Sequence, residues 1–291
     1  MVLFINFGAW LNIRAFNPAR TPSPEPLCTS KTMKLPVYIL LFLTTLTYAQ
    51  GETEFLNRFL FEEKLDTTNK LTQYNKYDFS SIWTKTESYQ ILGIIGADYQ
   101  RIKVKIIQVE KDSINANIYR VTGMSSVKGN ICDFNGTIIL TGIKTVNSLD
   151  FGILNEYVDS SIIQQGLLTA DYIFEEDNRQ YHSGFFKGKL YSKWYLKSNL
   201  LIQYYDIDKI SDGYMNNAFI GTWRSYQSGR MKECRWADYR VPMAKPGFDI
   251  GAAEFSPSKE YSSKGWESYN KAWFSKDKEA RKQELSEWWK N

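Results

Sequence analysis

Three carboxylates near the C-terminal end of the chain, Asp238, Asp249 and Glu254, have the residue type that acid–base chemistry needs. They stand in a loop-rich stretch that also contains tyrosines and tryptophans. A glycoside hydrolase uses two carboxyl groups, one as proton donor and the other as nucleophile or base. These three residues are therefore the candidate catalytic set, although sequence spacing does not give the separation of their carboxyl groups.

Aromatic residues in the same part of the chain are candidates for ligand binding, namely Tyr214, Trp223, Trp236 and Tyr239. Their rings have flat apolar faces and, at one edge, a polar group. A site that combines aromatic walls with a few polar groups suits an apolar small molecule or a sugar. The sequence therefore predicts that a ligand would be bound by this region.

Chemistry that depends on histidine has a single candidate, because His182 is the only histidine in the chain. A Ser-His-Asp triad or a histidine-rich metal site is therefore improbable, and we expect His182 to make a structural hydrogen bond. No cofactor-binding motif is recognisable, so we predict no cofactor.

Three aspartates close in sequence, Asp206, Asp208 and Asp212, are candidate metal ligands because carboxylate oxygens bind calcium. However, Ile210 occupies a position where the helix-loop-helix calcium motif requires an oxygen ligand. The alternative interpretation is a solvated turn in which Asp212 and the following glycine supply the geometry.

The cysteines Cys132 and Cys234 remain once the N-terminal segment, which contains Cys28, is set aside. An even pair in an oxidising compartment can form a disulfide. The alternative is two separate buried thiols, and the residues alone leave both open.

The N-terminal part of the chain predicts export. Residues 33–49 contain a lysine, a short apolar run and Ala49 at the expected cleavage point, which is the architecture of a signal peptide. Residues 1–32 resemble neither a domain nor a charged signal region, and we interpret them as a mis-called start or a leader. The mature protein would then be periplasmic, associated with the cell envelope or extracellular.

The charge of the chain argues against nucleic acid as a partner. The formal net charge is +4, and residues 1–49 contribute +3 of it from four basic residues and one acidic residue. The remaining +1 gives no electrostatic case for binding a phosphate backbone. We also predict no transmembrane segment after removal of the signal peptide, because its apolar run is too short to span a membrane.

The remaining chain predicts a mainly β fold, an antiparallel barrel-like domain of the calycin or lipocalin kind or a sandwich, with short terminal helices. The predicted segments are an N-terminal helix and linker over 50–76, the β domain over 77–266 and a helical tail over 267–291. The cleanest strand has Phe186, Leu190, Trp194 and Leu196 on one face and lysines on the other.

Local patterns predict three further features. Asn135-Gly136 is typical of a tight hairpin turn. Arg101, Lys103 and Lys105 alternate with apolar residues, which predicts a strand with one solvated face. A glycine two residues after a phenylalanine recurs at Gly136, Gly188 and Gly221, and glycine within a strand often marks a bend or bulge.

Several segments resemble a group of exported, uncharacterised proteins of Bacteroidetes-type bacteria. The resemblance extends from about Tyr77 to Trp266; it implies a shared fold and favours a disulfide, and it implies no activity. Gly221-Thr222-Trp223 also looks like the Gly-x-Trp motif of lipocalins, which opens their first strand but here comes late in the chain. The segments that carry the first resemblance are 91–102, 127–137, 211–214 with 221–223, 234–240, 249–251 and 254–257.

These observations together predict a non-catalytic binding or interaction module for an apolar small molecule, a glycan or an envelope protein. The alternative is a carbohydrate-active hydrolase that uses paired carboxylates. The loops on either side of the strand at 219–226, over 211–217 and 234–240, are the expected functional regions.

Overall fold

The computed structural model describes residues 65–158 and 160–290. Three predicted parts of the chain lie outside these residues: the leader over 1–32, the signal peptide over 33–49 and residues 50–64 of the predicted N-terminal helix and linker. Within the described part of the chain, no helix is long and apolar enough to cross a membrane.

The described part of the chain is mainly β, as predicted, and its nine strands form one antiparallel sheet in the order β5-β4-β3-β2-β1-β9-β8-β6-β7. Strand β5 also pairs with β6, so eight strands form a ring of hydrogen-bonded neighbours and β7 pairs with β6 beside it. The strands are β1 (Ile91–Ile95), β2 (Gln100–Lys111), β3 (Ile118–Val127), β4 (Asn130–Thr145), β5 (Ile162–Glu176), β6 (Gly184–Lys197), β7 (Ile202–Tyr204), β8 (Asn216–Ser225) and β9 (Met231–Asp238).

The helices among residues 65–158 and 160–290 are short and flank the sheet. They are α1 (Leu71–Tyr74), α2 (Glu267–Phe274) and α3 (Lys278–Glu284), with 3₁₀ turns at Ser80–Trp83, Ser88–Gln90 and Lys259–Lys264. Asp277 caps the N-terminus of helix α3, because its side chain accepts hydrogen bonds from the backbone N–H groups of Glu279 and Ala280. This is the geometry of a good helix N-cap, and it places a helix in the predicted helical tail.

Aromatic side chains fill the main core. Phe219 and Trp236 stack with centroids 4.8 Å apart, and Phe134 stacks on Phe174 at 4.9 Å. The inward positions of the strands alternate with outward ones, so every second residue contributes to this core. Trp194, on the strand with the cleanest predicted pattern, is fully buried within it.

The glycines predicted to lie in strands do so, at points where the backbones approach closely. Gly188 of β6 faces Gly221 of β8, and a Cβ atom on Gly188 would lie 2.1 Å from the carbonyl oxygen of Ile220. Only glycine fits such a contact. Gly136 lies within β4, so the hairpin predicted at Asn135-Gly136 is wrong; the turn falls at Lys128-Gly129, where both φ angles are positive.

A second apolar layer covers the outer face of β1. Leu92 and Ile94 point out of the ring into a cluster formed with residues from 241–266, among them Phe248 and Trp266. Burial on both faces explains why β1 is apolar at every position except Gly93. The solvated face predicted for β2 is wrong at Arg101, which is buried by the C-terminal helices.

Residues 79–86 pack at the end of the ring where β8 begins and β9 ends. The Trp83 indole donates to the Ser192 hydroxyl over 3.0 Å, and the Asn217 amide donates to the carbonyl of Ile82 over 2.8 Å. Phe79, Ile82 and Trp83 belong to the main core. This segment therefore closes that end of the core against water.

Candidate functional site

An aromatic cleft of about 310 Å³ lies between the sheet and helix α2. Its volume is at the lower end of the range of about 300–1,000 Å³ that is typical of small-molecule sites. Half of the residues that line it are aromatic. They are Tyr89, Tyr214, Tyr239, Phe255, Tyr269, Trp273 and Phe274.

The sheet side of the cleft is built from residues next to strand ends. Tyr214 precedes β8 and Tyr239 follows β9, and their rings meet edge to face with centroids 5.2 Å apart. Tyr239 has a φ angle of 70°, and its backbone N–H donates to the carbonyl of Gln90 over 2.7 Å while its hydroxyl donates to Gln90 Oε1 over 3.2 Å. These bonds position the tyrosine ring at the cleft.

Helix α2 forms the opposite wall and carries Tyr269, Trp273 and Phe274. The Trp273 ring lies 5.5 Å from that of Tyr89, centroid to centroid, so the two walls meet at this pair. Trp273 Nε1 is buried without a hydrogen-bond partner in the described part of the structure.

A buried ion pair holds the helices against the sheet. Arg101 of β2 donates to both carboxylate oxygens of Glu284 in α3, over 2.8 and 2.6 Å, and Ser268 of α2 donates to the same carboxylate over 2.6 Å. Burial alone would raise the pKa of Glu284, but the hydrogen bonds and charge of Arg101 outweigh it and lower the pKa to about 2. The Arg101 guanidinium also lies 5.4 Å from the Tyr269 ring centroid, so this ion pair supports a residue of the cleft wall.

The structure does not bring the three candidate catalytic carboxylates together at the cleft. Asp249 forms an ion pair with Arg240 and accepts backbone hydrogen bonds from Gly251 and Ser256, over 3.1 and 3.0 Å. Only Glu254 lines the cleft, where it is the sole acidic side chain among the described residues.

Asp238 is buried inside the protein next to Tyr239. Its Oδ2 atom accepts hydrogen bonds from Thr86, Tyr204 and Asn217 over 2.9, 2.9 and 2.8 Å. Burial raises the pKa of Asp238 to about 7, against the opposing effect of these three hydrogen bonds. Asp238 therefore joins the segment 79–86 to the sheet and has no contact with the cleft opening.

The three candidate metal ligands do not form a metal site. Asp208 accepts a hydrogen bond from the Tyr205 hydroxyl over 2.9 Å, and Asp212 is exposed in the turn. Among the described residues, no group of three or more histidine, cysteine or acidic side chains is placed to hold a metal ion. The Ser211 hydroxyl donates to the backbone carbonyl of Asp208 over 2.6 Å, which favours the turn interpretation.

Two of the four predicted ligand-binding aromatics line the cleft, and two do not. Tyr214 and Tyr239 line it. Trp236 is buried in the main core, and the Trp223 indole donates to Glu176 Oε2 over 3.0 Å. Trp223 thus belongs to a buried polar cluster around Glu176, which also accepts from the backbone N–H of Gly184 over 2.7 Å. Burial raises the pKa of Glu176.

The cysteine pair is not a disulfide in this structure. Cys132 of β4 and Cys234 of β9 are both buried and free. Their strands are separated in the ring by β3, β2 and β1. Burial raises the pKa of the Cys132 thiol to about 11 and also raises that of Cys234.

We expect both thiols to be unreactive in the folded protein at pH 8, because only the thiolate attacks a disulfide or alkylating reagent and burial blocks access. Alkylation with iodoacetamide, followed by peptide mass spectrometry, measures this before and after denaturation without reductant. Both residues should be modified only after denaturation. A linked Cys132–Cys234 peptide would contradict the structure.

Sequence reasoning missed most of the cleft. Tyr89 and Gln90 lie far from the predicted loops, and Tyr269 and Trp273 lie in the tail expected only to be helical. The aromatic run in α2, Tyr269 to Phe274, is the one local signal that pointed to a second wall. The loop predicted over 234–240 is wrong for residues 234–238, which belong to β9. Ser211 and Tyr214 from the segment 211–217, and Tyr239 and Arg240 after β9, line the cleft.

Comparison with known proteins adds no family: no family model, no curated protein and no solved structure matches the chain. The functional argument therefore rests on the cleft.

Proposed function

We propose that this protein is an exported, non-catalytic binding module that takes a small molecule or glycan in its aromatic cleft. The cleft carries the proposal, because seven aromatic side chains from separate parts of the chain converge around about 310 Å³ of space. Concave sites with aromatic walls and a few polar groups are typical of small-ligand binding.

The rigidity of the walls supports binding. The Arg101–Glu284 ion pair fixes α2 from behind, and the backbone and side-chain hydrogen bonds between Tyr239 and Gln90 fix the sheet side. A preformed site loses little side-chain entropy when a ligand enters, so more of the contact energy remains as affinity.

The alternative, hydrolysis by paired carboxylates, is supported less well. It needs two carboxyl groups about 5–10 Å apart across the scissile bond. In the described cleft lining Glu254 has no acidic partner, since Asp238 is sealed in the interior and Asp249 is engaged by Arg240. The placement of these residues therefore favours binding.

We also propose that the sheet forms a barrel-like arrangement of the lipocalin kind, which the ring of eight paired strands supports. The signal-peptide pattern over 33–49 supports the proposed export, and the segments quoted above support the proposed kinship with exported Bacteroidetes-type proteins.

We expect Trp273→Ala and Tyr89→Ala each to weaken ligand binding by about tenfold or more, because aromatic anchors in a cleft carry much of the contact energy. Isothermal titration calorimetry against a panel of apolar small molecules and oligosaccharides measures the affinities. Circular dichroism confirms that each variant is folded.

Tyr181→Ala is the matched control, since Tyr181 is 69% exposed and does not line the cleft. It should bind as the unmodified protein does. If no member of the panel binds, or if both cleft variants bind unchanged, the proposed function is wrong.

A further inference from the structure

Two aromatic rings of the cleft already face cationic side chains of the protein, and this limits the charge that a ligand can carry. The Lys209 ammonium lies 5.4 Å from the centroid of Tyr239, and the Arg281 guanidinium lies 4.9 Å from that of Trp273. A cationic ligand on the same rings would compete for their electron-rich faces and be repelled by these charges. The cleft is therefore unsuited to a quaternary ammonium or similar cation.

Anionic ligands gain little from the cleft. Arg240 lines it, but its guanidinium is engaged by Asp249 and donates to the carbonyls of Ala252 and Ala253 over 2.9 and 3.0 Å. Lys209 is thus the one lining cation without a carboxylate partner among the described residues.

An acidic side chain offsets Lys209. Glu254 lines the same cleft and likewise has no cationic partner in the described part of the chain. The charges of Asp206 and Glu87 also lie close enough to Tyr239 to contribute to raising its pKa, after burial and the charge of Asp238. An anionic ligand would gain attraction from Lys209 and meet repulsion from these carboxylates.

The hydrogen-bonding groups and the aromatic walls of the cleft suit an uncharged polyol. Its polar groups include donors and acceptors: the Lys209 ammonium, the Glu254 carboxylate and the amide of Gln90. A hydroxyl group both donates and accepts hydrogen bonds, so it can satisfy either kind. The aromatic walls suit the apolar C–H faces of a ring.

We infer that the ligand is a neutral sugar, and that Lys209 and Glu254 together select against charged sugars. This inference rests on the proposed binding function and adds the ligand class and the two specificity-determining residues. Glu254 repels anionic sugars, and Lys209 repels cationic sugars. The attraction of each residue for sugars of the opposite charge is cancelled by the repulsion from the other residue.

The test uses calorimetry of the unmodified protein and of Glu254→Gln and Lys209→Gln with three sets of oligosaccharides: neutral, uronic-acid-containing and amino-sugar-containing. The unmodified protein should bind neutral sugars most tightly. Glu254→Gln should gain about fivefold in affinity for uronic-acid sugars, and Lys209→Gln about fivefold for amino sugars, the effect of one charge at contact distance in water. Both residues are exposed, so neither change removes core packing.

The outcomes separate this inference from the proposed function. If charged sugars bind the unmodified protein as tightly as neutral ones, or if neither variant shifts the preference, the inference is overturned while a binding cleft stands. If an apolar molecule binds at Trp273 and Tyr89 and no sugar binds, the inference of a neutral sugar is likewise overturned and the proposed binding function stands. Absence of binding by every compound overturns both.

Discussion

Replacing Glu284 by alanine is expected to destabilise the protein by about 3–5 kcal/mol, the usual cost of removing one partner from a buried ion pair. The pair is 6% and 0% exposed, so Arg101 would keep a buried charge with only a carbonyl and two aromatic rings around it. For a domain of this size the change corresponds to a fall in Tm of roughly 10 °C. Thermal and urea unfolding measure it.

The same substitution should weaken ligand binding. Glu284 joins α3 to α2 through Ser268 and to the sheet through Arg101, and α2 carries the Trp273 wall. Limited proteolysis of the folded protein should therefore cut first within 265–290. Protection equal to that of the unmodified protein would show that the helices do not depend on this carboxylate.

Two controls separate charge from packing. Glu267→Ala removes an exposed i,i+4 ion pair with Lys271 in α2, and such pairs contribute only about 0.3–0.5 kcal/mol. The double variant Arg101→Met/Glu284→Met removes both charges and keeps the volume, so it should recover much of the lost stability. If the double variant is as unstable as Glu284→Ala, an unpaired charge is not the cause.

Asp238→Asn is expected to change how stability depends on pH. The pKa of Asp238 is raised from 3.8 to about 7 on folding. Between these values the folded protein holds a proton that the unfolded chain has released, so the free energy of unfolding falls as pH rises through this window. The full difference corresponds to about 4 kcal/mol. Asparagine does not titrate, so in the variant this residue contributes nothing to the change of the unfolding free energy with pH.

Urea unfolding at pH 5, 6, 7 and 8 tests this. The unmodified protein should lose stability across the series, and Asp238→Asn should lose less. Glu176 remains in the variant and acts in the same direction, because burial raises its pKa too. Glu284 acts below this range, since its lowered pKa supplies stability that is lost only as pH falls from about 4.5 to about 2.

Asp212→Asn, in an exposed turn, is the matched control and should keep the slope of the unmodified protein. Equal slopes for Asp238→Asn and the unmodified protein would mean that Asp238 keeps its charge on folding. The hydrogen bonds from Thr86, Tyr204 and Asn217 would then outweigh the cost of burying it.

Short-range patterns predicted strands such as β6 and β8, because the alternation of side chains along a strand is visible in a few residues. They missed β9, most of which was predicted to be a loop. The segment around Trp194 is a strand with its apolar face in the core, and the stretch at 219–226 largely coincides with β8. The prediction of a turn at Asn135-Gly136 was wrong because it depended on the glycine. Glycine suits a turn and also suits the close contact of two strands, and local sequence does not separate the two.

The candidate site was only half visible in the sequence. Tyr214 and Tyr239 lie in the two segments that were predicted to be functional, 211–217 and 234–240, and both residues line the cleft. Their partner Tyr89 lies more than a hundred residues before either of them, and Trp273 lies in a helix after β9, so only the sheet and the docked helix bring these residues together. The sequence did not indicate that Asp238 is buried, because carboxylates are usually exposed.

The sequence by itself determined that this protein is mainly β, that its strands are antiparallel and where its aromatic faces lie, because these properties depend on alternation and turn chemistry within short segments. Tertiary structure decided the rest. Packing of residues 79–86 against the strand ends surrounds Asp238, and three strands of the ring separate the two cysteines. Docking of α3 on Arg101 buries part of a strand face that was predicted to be solvated, and it supports the cleft. Those outcomes depend on contacts between residues distant in the chain, which no local pattern records.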